Sequence, residues 1–94
     1  MSTVISKKVY SRYFDKIVSG EKTYEVRLAD WDCAPGDILE LVDIADDTRE
    51  PTGRVLRKKV GTVVRTKDID FWPTEAIEKY GYQVISLLPE EGAA

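Results

Sequence analysis

Residues 19–27 read SGEKTYEVR, and how they are read decides the fold expected of the rest. Gly20 stops a helix and permits a sharp reversal, because glycine reaches backbone angles that other residues avoid. Beyond it, Thr23 to Leu28 alternate: Tyr24, Val26 and Leu28 face one way, Thr23, Glu25 and Arg27 the other. A period of two predicts a half-buried strand. Glu25 and Arg27 then share the polar face, about 7 Å apart along the strand. Lys22, at the strand mouth, can turn toward the same space. Two cations and a carboxylate so placed are either a solvated strand face or a grip on a polar ligand.

On the N-terminal side, Thr3 to Val9 is short and β-branched and predicts a first strand. Ser11 is placed to cap a short helix whose apolar residues Tyr13, Phe14, Ile17 and Val18 recur at helical spacing up to Gly20. On the C-terminal side, residues 29–37 form a loop with a turn at Pro35-Gly36, and Asp37 to Ile44 reads as an acidic strand. A polar turn over 45–53 leads into a long basic strand, Val55 to Thr66, with a bend at Gly61. Pro73-Thr74 opens a second short helix through Tyr80, closed by Gly81. Tyr82 to Leu88 predicts a last, apolar strand, and the tail PEEGAA is expected to fray. The order β-α-β-β-β-α-β in 94 residues predicts one α+β domain, 1–94, with its core at about 4–88. Five strands with two short helices can close into a small mixed barrel, which removes exposed edges.

Composition narrows the chemistry. The chain has no histidine and one cysteine, Cys33, which excludes a histidine base, a Cys-His pair and a histidine metal ligand. No cofactor or metal is expected. Cys33 lies among Asp30, Asp32 and Asp37 and reads as structural. No apolar run approaches the roughly 18 residues of a membrane span. The first ten residues, MSTVISKKVY, lack the apolar core of a secretory signal, so a cytoplasmic protein is expected. The net charge of −3 is blocked along the chain: +3 over 1–28, −7 over 29–53, +6 over 54–67 and −5 from 68 on. Two arrangements fit. The basic strand 54–67 either forms an open surface or pairs with the acidic segment 37–50.

The run YFDKIVSGEKTYEVRL, followed by PGDILEL, TGR and GYQVISL, resembles the ASCH domain family, one of the PUA-like small RNA-associated β-barrels. The resemblance spans about residues 4–88. It rests on a Gly-x-Lys-x-x-Glu-x-Arg motif, met by Gly20, Lys22, Glu25 and Arg27, with Gly36-Asp37 downstream. It implies a PUA-like barrel and a cleft between helix and barrel that takes RNA or a modified nucleoside. Some members are amidohydrolases that deacetylate N4-acetylcytidine with a threonine nucleophile. That position is Glu25 here, and Thr23 stands elsewhere in the motif. Binding is therefore the expected function, with Arg27 holding a phosphate or carbonyl oxygen, Lys22 a second donor, and Glu25 accepting from a base or ribose.

The alternative is a small hydrolase acting on an acylated nucleoside or on RNA. Glu25 would then act as general base on water, with Lys22 or Arg27 at the oxyanion. Trp31 directly follows the motif strand and can stack a base at the cleft rim; Tyr10 and Tyr13 can do the same. Tyr13 beside Phe14 reads more simply as core, and Trp72 as packing with Phe71 and Pro73. Arg54, Arg57 and Lys59 are the expected contacts to an RNA backbone, Arg57 and Lys59 on one strand face and Lys58 on the other. A third reading makes the acidic stretch 30–50 a protein-interaction surface.

Overall fold

The computed structural model describes residues 3–90. Its elements are β1 (Val4–Tyr10), α1 (Ser11–Val18), β2 (Ile38–Ile44), β3 (Pro51–Lys59), a 3-10 turn (Thr66–Asp68) and α2 (Thr74–Tyr80). They form one sheet in the order β1-β2-β3. β1 runs parallel to β2, Val4 opposite Ile38 and Tyr10 opposite Ile44. Parallel neighbours need a crossover of a dozen or more residues, and α1 with the segment 19–37 supplies it. β2 and β3 are antiparallel, Ile38 opposite Lys59 and Leu41 opposite Leu56, and a tight turn suffices. In that turn Ala45 N donates to Glu50 O at 2.9 Å and Arg49 adopts φ 62°.

The core lies between α1 and one face of the sheet. Phe14 and Ile17, three apart on α1, meet Val9 and Leu41, with Leu39 and Leu56 packed at the side. Strand alternation places Leu39, Leu41 and Asp43 on this face, so the row of leucines ends in a carboxylate that is 0% exposed. Ser11 is the first residue of α1 and does not cap it. Tyr10 holds the cap position without a side-chain bond, and the Ser11 hydroxyl donates to Asp43 Oδ1 at 2.6 Å. Opposite Asp43 the register breaks. Val55 faces Val42 and Pro51 faces Ile44, so Thr52, Gly53 and Arg54 together span the single residue Asp43. Gly53, at φ 95°, takes the left-handed backbone that this bulge requires. The excursion lets Thr52 Oγ1 and Arg54 Nε both donate to Asp43 Oδ2, at 2.6 and 2.9 Å.

The expected five-strand PUA-like barrel is not formed: the sheet is open and three-stranded. Neither 23–28 nor 82–88 joins a backbone ladder, and the basic strand ends at Lys59 instead of Thr66. Side chains take the bonds that strand neighbours would have made. Arg27 Nη2 donates to the Lys8 carbonyl of β1 at 2.7 Å, and Lys22 Nζ to the Tyr24 carbonyl at 2.7 Å. The two segments meet through Ser86, whose hydroxyl contacts Thr23 N and Thr23 Oγ1 at 3.1 and 2.9 Å. The supposed inner face of 23–28 is accordingly open, with Val26 64% and Leu28 79% exposed. α2 ends at Gly81, which has φ 67°, and buries none of its residues. Phe71, Trp72 and Tyr82 stack edge to face beside it. Residues 91–94 of the tail expected to fray lie outside the described residues. Among the described residues no helix is long and apolar enough to cross a membrane.

Candidate functional site

The segment after α1 builds the site. Gly20, at φ 83°, turns the chain, and the Lys22 amide returns to the Lys16 carbonyl at 2.9 Å. A Cβ at Gly20 would meet nothing within 4 Å, so it is the backbone angle and not space that calls for glycine there. The turn brings three motif side chains into one cluster. Lys22 Nζ lies 3.0 Å from Glu25 Oε1, and Arg27 Nε lies 2.9 Å from Glu25 Oε2. Lys22 is largely buried and its ammonium stands 4.7 Å from the centre of the Tyr24 ring, a cation–π distance. Each oxygen of Glu25 thus accepts from a cation, and the carboxylate fixes both cations in place.

This cluster forms one wall of a cleft of about 520 Å3. Ile17, Leu39 and Leu41 give the cleft an apolar floor. Trp31 and Cys33 line it from the loop after the motif, and Lys58, Lys59 and the stretch 60–65 close the far side. Five cations border it: Lys22, Arg27, Lys58, Lys59 and Arg65. Glu25 is the one carboxylate among the described lining residues. Arg65 is bound to the Trp31 carbonyl at 3.2 Å and to the Asp32 carboxylate, which anchors the Trp31 loop. Lys7 Nζ sits 4.0 Å from the Trp31 ring centre, so one face of the indole carries a cation. Among the described residues Lys58 and Lys59 have no carboxylate within 4.0 Å.

Gly20, Lys22, Glu25, Arg27 and Trp31, five residues singled out in the sequence, therefore meet at one cleft, and Lys59 joins them. Arg54 and Arg57 do not line it. Arg54 is engaged by Asp43 and by Asp15, whose Oδ1 is 2.8 Å from Nη2, and its guanidinium covers the Phe14 ring at 4.8 Å. Arg57 pairs across the sheet with Glu40 at 2.9 Å. The basic strand thus divides. Its first half pairs with acidic partners, and its end, Lys58-Lys59, opens on the cleft. Sequence reasoning counted Lys58 and Arg65 among the possible phosphate contacts of the basic segment but did not single them out as cleft residues. Strand alternation set Lys58 apart from Arg57 and Lys59, but it lies opposite Leu39, whose side of the sheet is the cleft side.

Asp43 was missed. Burial pushes its carboxyl up, but hydrogen bonds from Ser11, Thr52 and Arg54, with the Arg54 charge, outweigh this and hold it below the usual carboxylate range. It stands outside the cleft and joins α1, β2 and β3. Among the described residues no three of His, Cys, Asp and Glu gather in a group that could hold a metal ion.

Fold and site together define a small open-sheet protein with a cationic cleft beside its first helix. The chain belongs to the family described as Domain of unknown function (DUF3850), whose model matches residues 6–86. Comparison with curated proteins and with solved structures finds no match.

Proposed function

We propose that this protein binds RNA or a modified nucleoside in the cleft bordered by Lys22, Arg27 and Trp31. The observation that carries this reading is the lining: five cations against one carboxylate over an apolar floor, with an indole at the edge. An anionic ligand with a flat apolar part matches that combination, since phosphate takes the cations and a base the floor and the indole. The resemblance to the ASCH family, carried by Gly20, Lys22, Glu25 and Arg27, supports the same ligand class. On this reading the protein works in the cytoplasm, where such ligands are found.

Lys58 and Lys59, free of carboxylate partners among the described residues, are the first contacts of an incoming phosphate. Arg27 adds donors held in a fixed direction by Glu25. The role of Glu25 is to orient two cations, because both its oxygens are already engaged. Binding is favoured over hydrolysis by the surplus of cations around this carboxylate, a lining suited to holding an anion. The test is titration of ribonucleoside monophosphates and short RNAs into the protein at several salt concentrations. Affinity that falls steeply with salt, and more shallowly in a Lys58→Ala/Lys59→Ala variant, supports the reading. Absence of binding by any of these ligands at low salt overturns it.

A further inference from the structure

The segment 22–28 has a cavity on each side. Besides the cleft, a groove of about 580 Å3 lies between it and the start of α1, and Lys22, Tyr24, Glu25 and Arg27 form a wall common to both. The groove's own residues include Lys8, Tyr10 and Tyr13. Tyr13 is not core: it is 43% exposed, whereas its neighbour Phe14 is buried. Arg12 lies 4.9 Å from the ring centres of both Tyr10 and Tyr13, so a single guanidinium braces the two rings. The groove is therefore a set of ordered aromatic rings beside Lys8 and Arg27, which is the composition of a stacking platform for single-stranded nucleic acid.

Between groove and cleft stands Arg27. Of the five donors of a guanidinium, one goes to Glu25 and one to the Lys8 carbonyl. The other three are left for a group crossing the wall. We infer that the groove seats the nucleotide next to the one held in the cleft, with the phosphate between them at Arg27. The ligand is then a stretch of single-stranded RNA and not a free nucleoside. This rests on the cleft reading proposed above.

The test compares the four ribonucleoside monophosphates with a random-sequence RNA tetranucleotide pool, by fluorescence anisotropy or competition. Wild-type protein should bind the tetranucleotides at least roughly five-fold more tightly than the monophosphates, the low end for one added stacked base. Tyr13→Ala should remove most of that gain and change monophosphate affinity much less, since its ring meets the cleft only through Lys22, 5.9 Å from the ring centre. Lys8→Ala should weaken the tetranucleotides alone and lower the salt slope by about one. If circular dichroism shows Tyr13→Ala to be unfolded, the Lys8→Ala result stands as the test. If monophosphates bind too weakly to measure, the loss of tetranucleotide affinity decides. A full gain retained in both variants, or no gain in the wild type, overturns the groove and leaves the cleft standing. No binding of either ligand by the wild type overturns both.

Discussion

Arg54 Nε stands 2.9 Å from Asp43 Oδ2, and this contact ties β3 to the strand that carries the core. The same carboxylate holds the Ser11 hydroxyl at the root of α1, so one buried group joins three elements. Replacing Asp43 by Ala removes the acceptor that the Ser11 and Thr52 hydroxyls and the Arg54 guanidinium share, leaving Ser11 the Ile44 carbonyl at 3.2 Å and Arg54 the Asp15 carboxylate. Removing one member of a buried charged network costs about 2 to 3 kcal/mol, given that Arg54 itself reaches solvent. Urea denaturation should show the unfolding free energy falling by that amount, as a lower midpoint with an unchanged slope. A loss below about 0.5 kcal/mol, the level of an ordinary surface substitution, would remove Asp43 from its structural role.

The acid limb of stability follows from the same group. The Asp43 carboxyl lies below its ordinary value in the folded protein, despite the opposing effect of burial. A group with a depressed folded pKa stabilises fully above its unfolded value, about 3.9, and loses that contribution as the pH falls through the folded value. Wild-type stability should hold above about pH 5 and decline below about pH 4. Asp43→Asn, which cannot titrate there, should be less stable at neutral pH and show a shallower decline. Thermal melts from acid to neutral pH measure both. Parallel curves for the wild type and the Asp43→Asn variant would assign the acid limb to other carboxylates.

These relationships were unequally legible in the sequence. α1 and α2 were, because Phe14 and Ile17 recur at helical spacing before Gly20, and Pro73-Thr74 and Gly81 mark local boundaries. The pairing of acidic β2 with basic β3 was one of two arrangements that charge blocks allowed, and Glu40 with Arg57 realises it. Asp43 was not legible, since its partners lie 32, 9 and 11 residues away and an aspartate in a strand reads as solvent-facing. Nor was the open sheet. Alternation in 23–28 says which way side chains would point if a neighbour strand supplied the ladder, and not whether one does. The motif cluster was legible in membership: Lys22, Glu25 and Arg27 do meet. Their mutual pairing was not, because spacing cannot tell a side chain that awaits a ligand from one bound to its neighbour.

Cys33 offers a direct report on the cleft. It is the only cysteine in the sequence, is partly exposed and lines the cleft with Trp31. Alkylation by iodoacetamide needs access to the thiolate, so a ligand in the cleft should slow it in proportion to occupancy. Mass spectrometry of protein alkylated with and without saturating short RNA reads the protection. Equal rates at a concentration where binding is established by anisotropy would put the ligand elsewhere.

The lysines at the end of β3 should govern salt dependence. Lys58 and Lys59 are exposed, line the cleft and have no carboxylate partner among the described residues. Lys58→Ala/Lys59→Ala should leave the melting curve within experimental error and reduce the slope of log affinity against log salt by about one per lost phosphate contact. Arg57→Ala is the contrast. Arg57 pairs with Glu40 away from the cleft, so its removal should leave the slope as in the wild type.

Glu25 separates binding from catalysis most sharply. As a base or a ligand contact, its conversion to Gln should reduce turnover or affinity. As the strut between Lys22 at 3.0 Å and Arg27 at 2.9 Å, it should do the reverse for an anion. Gln keeps the volume and one acceptor oxygen but removes the negative charge, so the cleft becomes more positive. Affinity for a short RNA should then rise roughly two- to five-fold at low salt, the size expected of one partly exposed charge. Folding stability should fall by about 1 kcal/mol as the ion pairs weaken. Incubation with N4-acetylcytidine and with short RNA, followed by chromatography, should show no turnover by either protein. Measurable hydrolysis by the wild type that Glu25→Gln abolishes would make Glu25 a catalytic residue and reverse the order of the two readings.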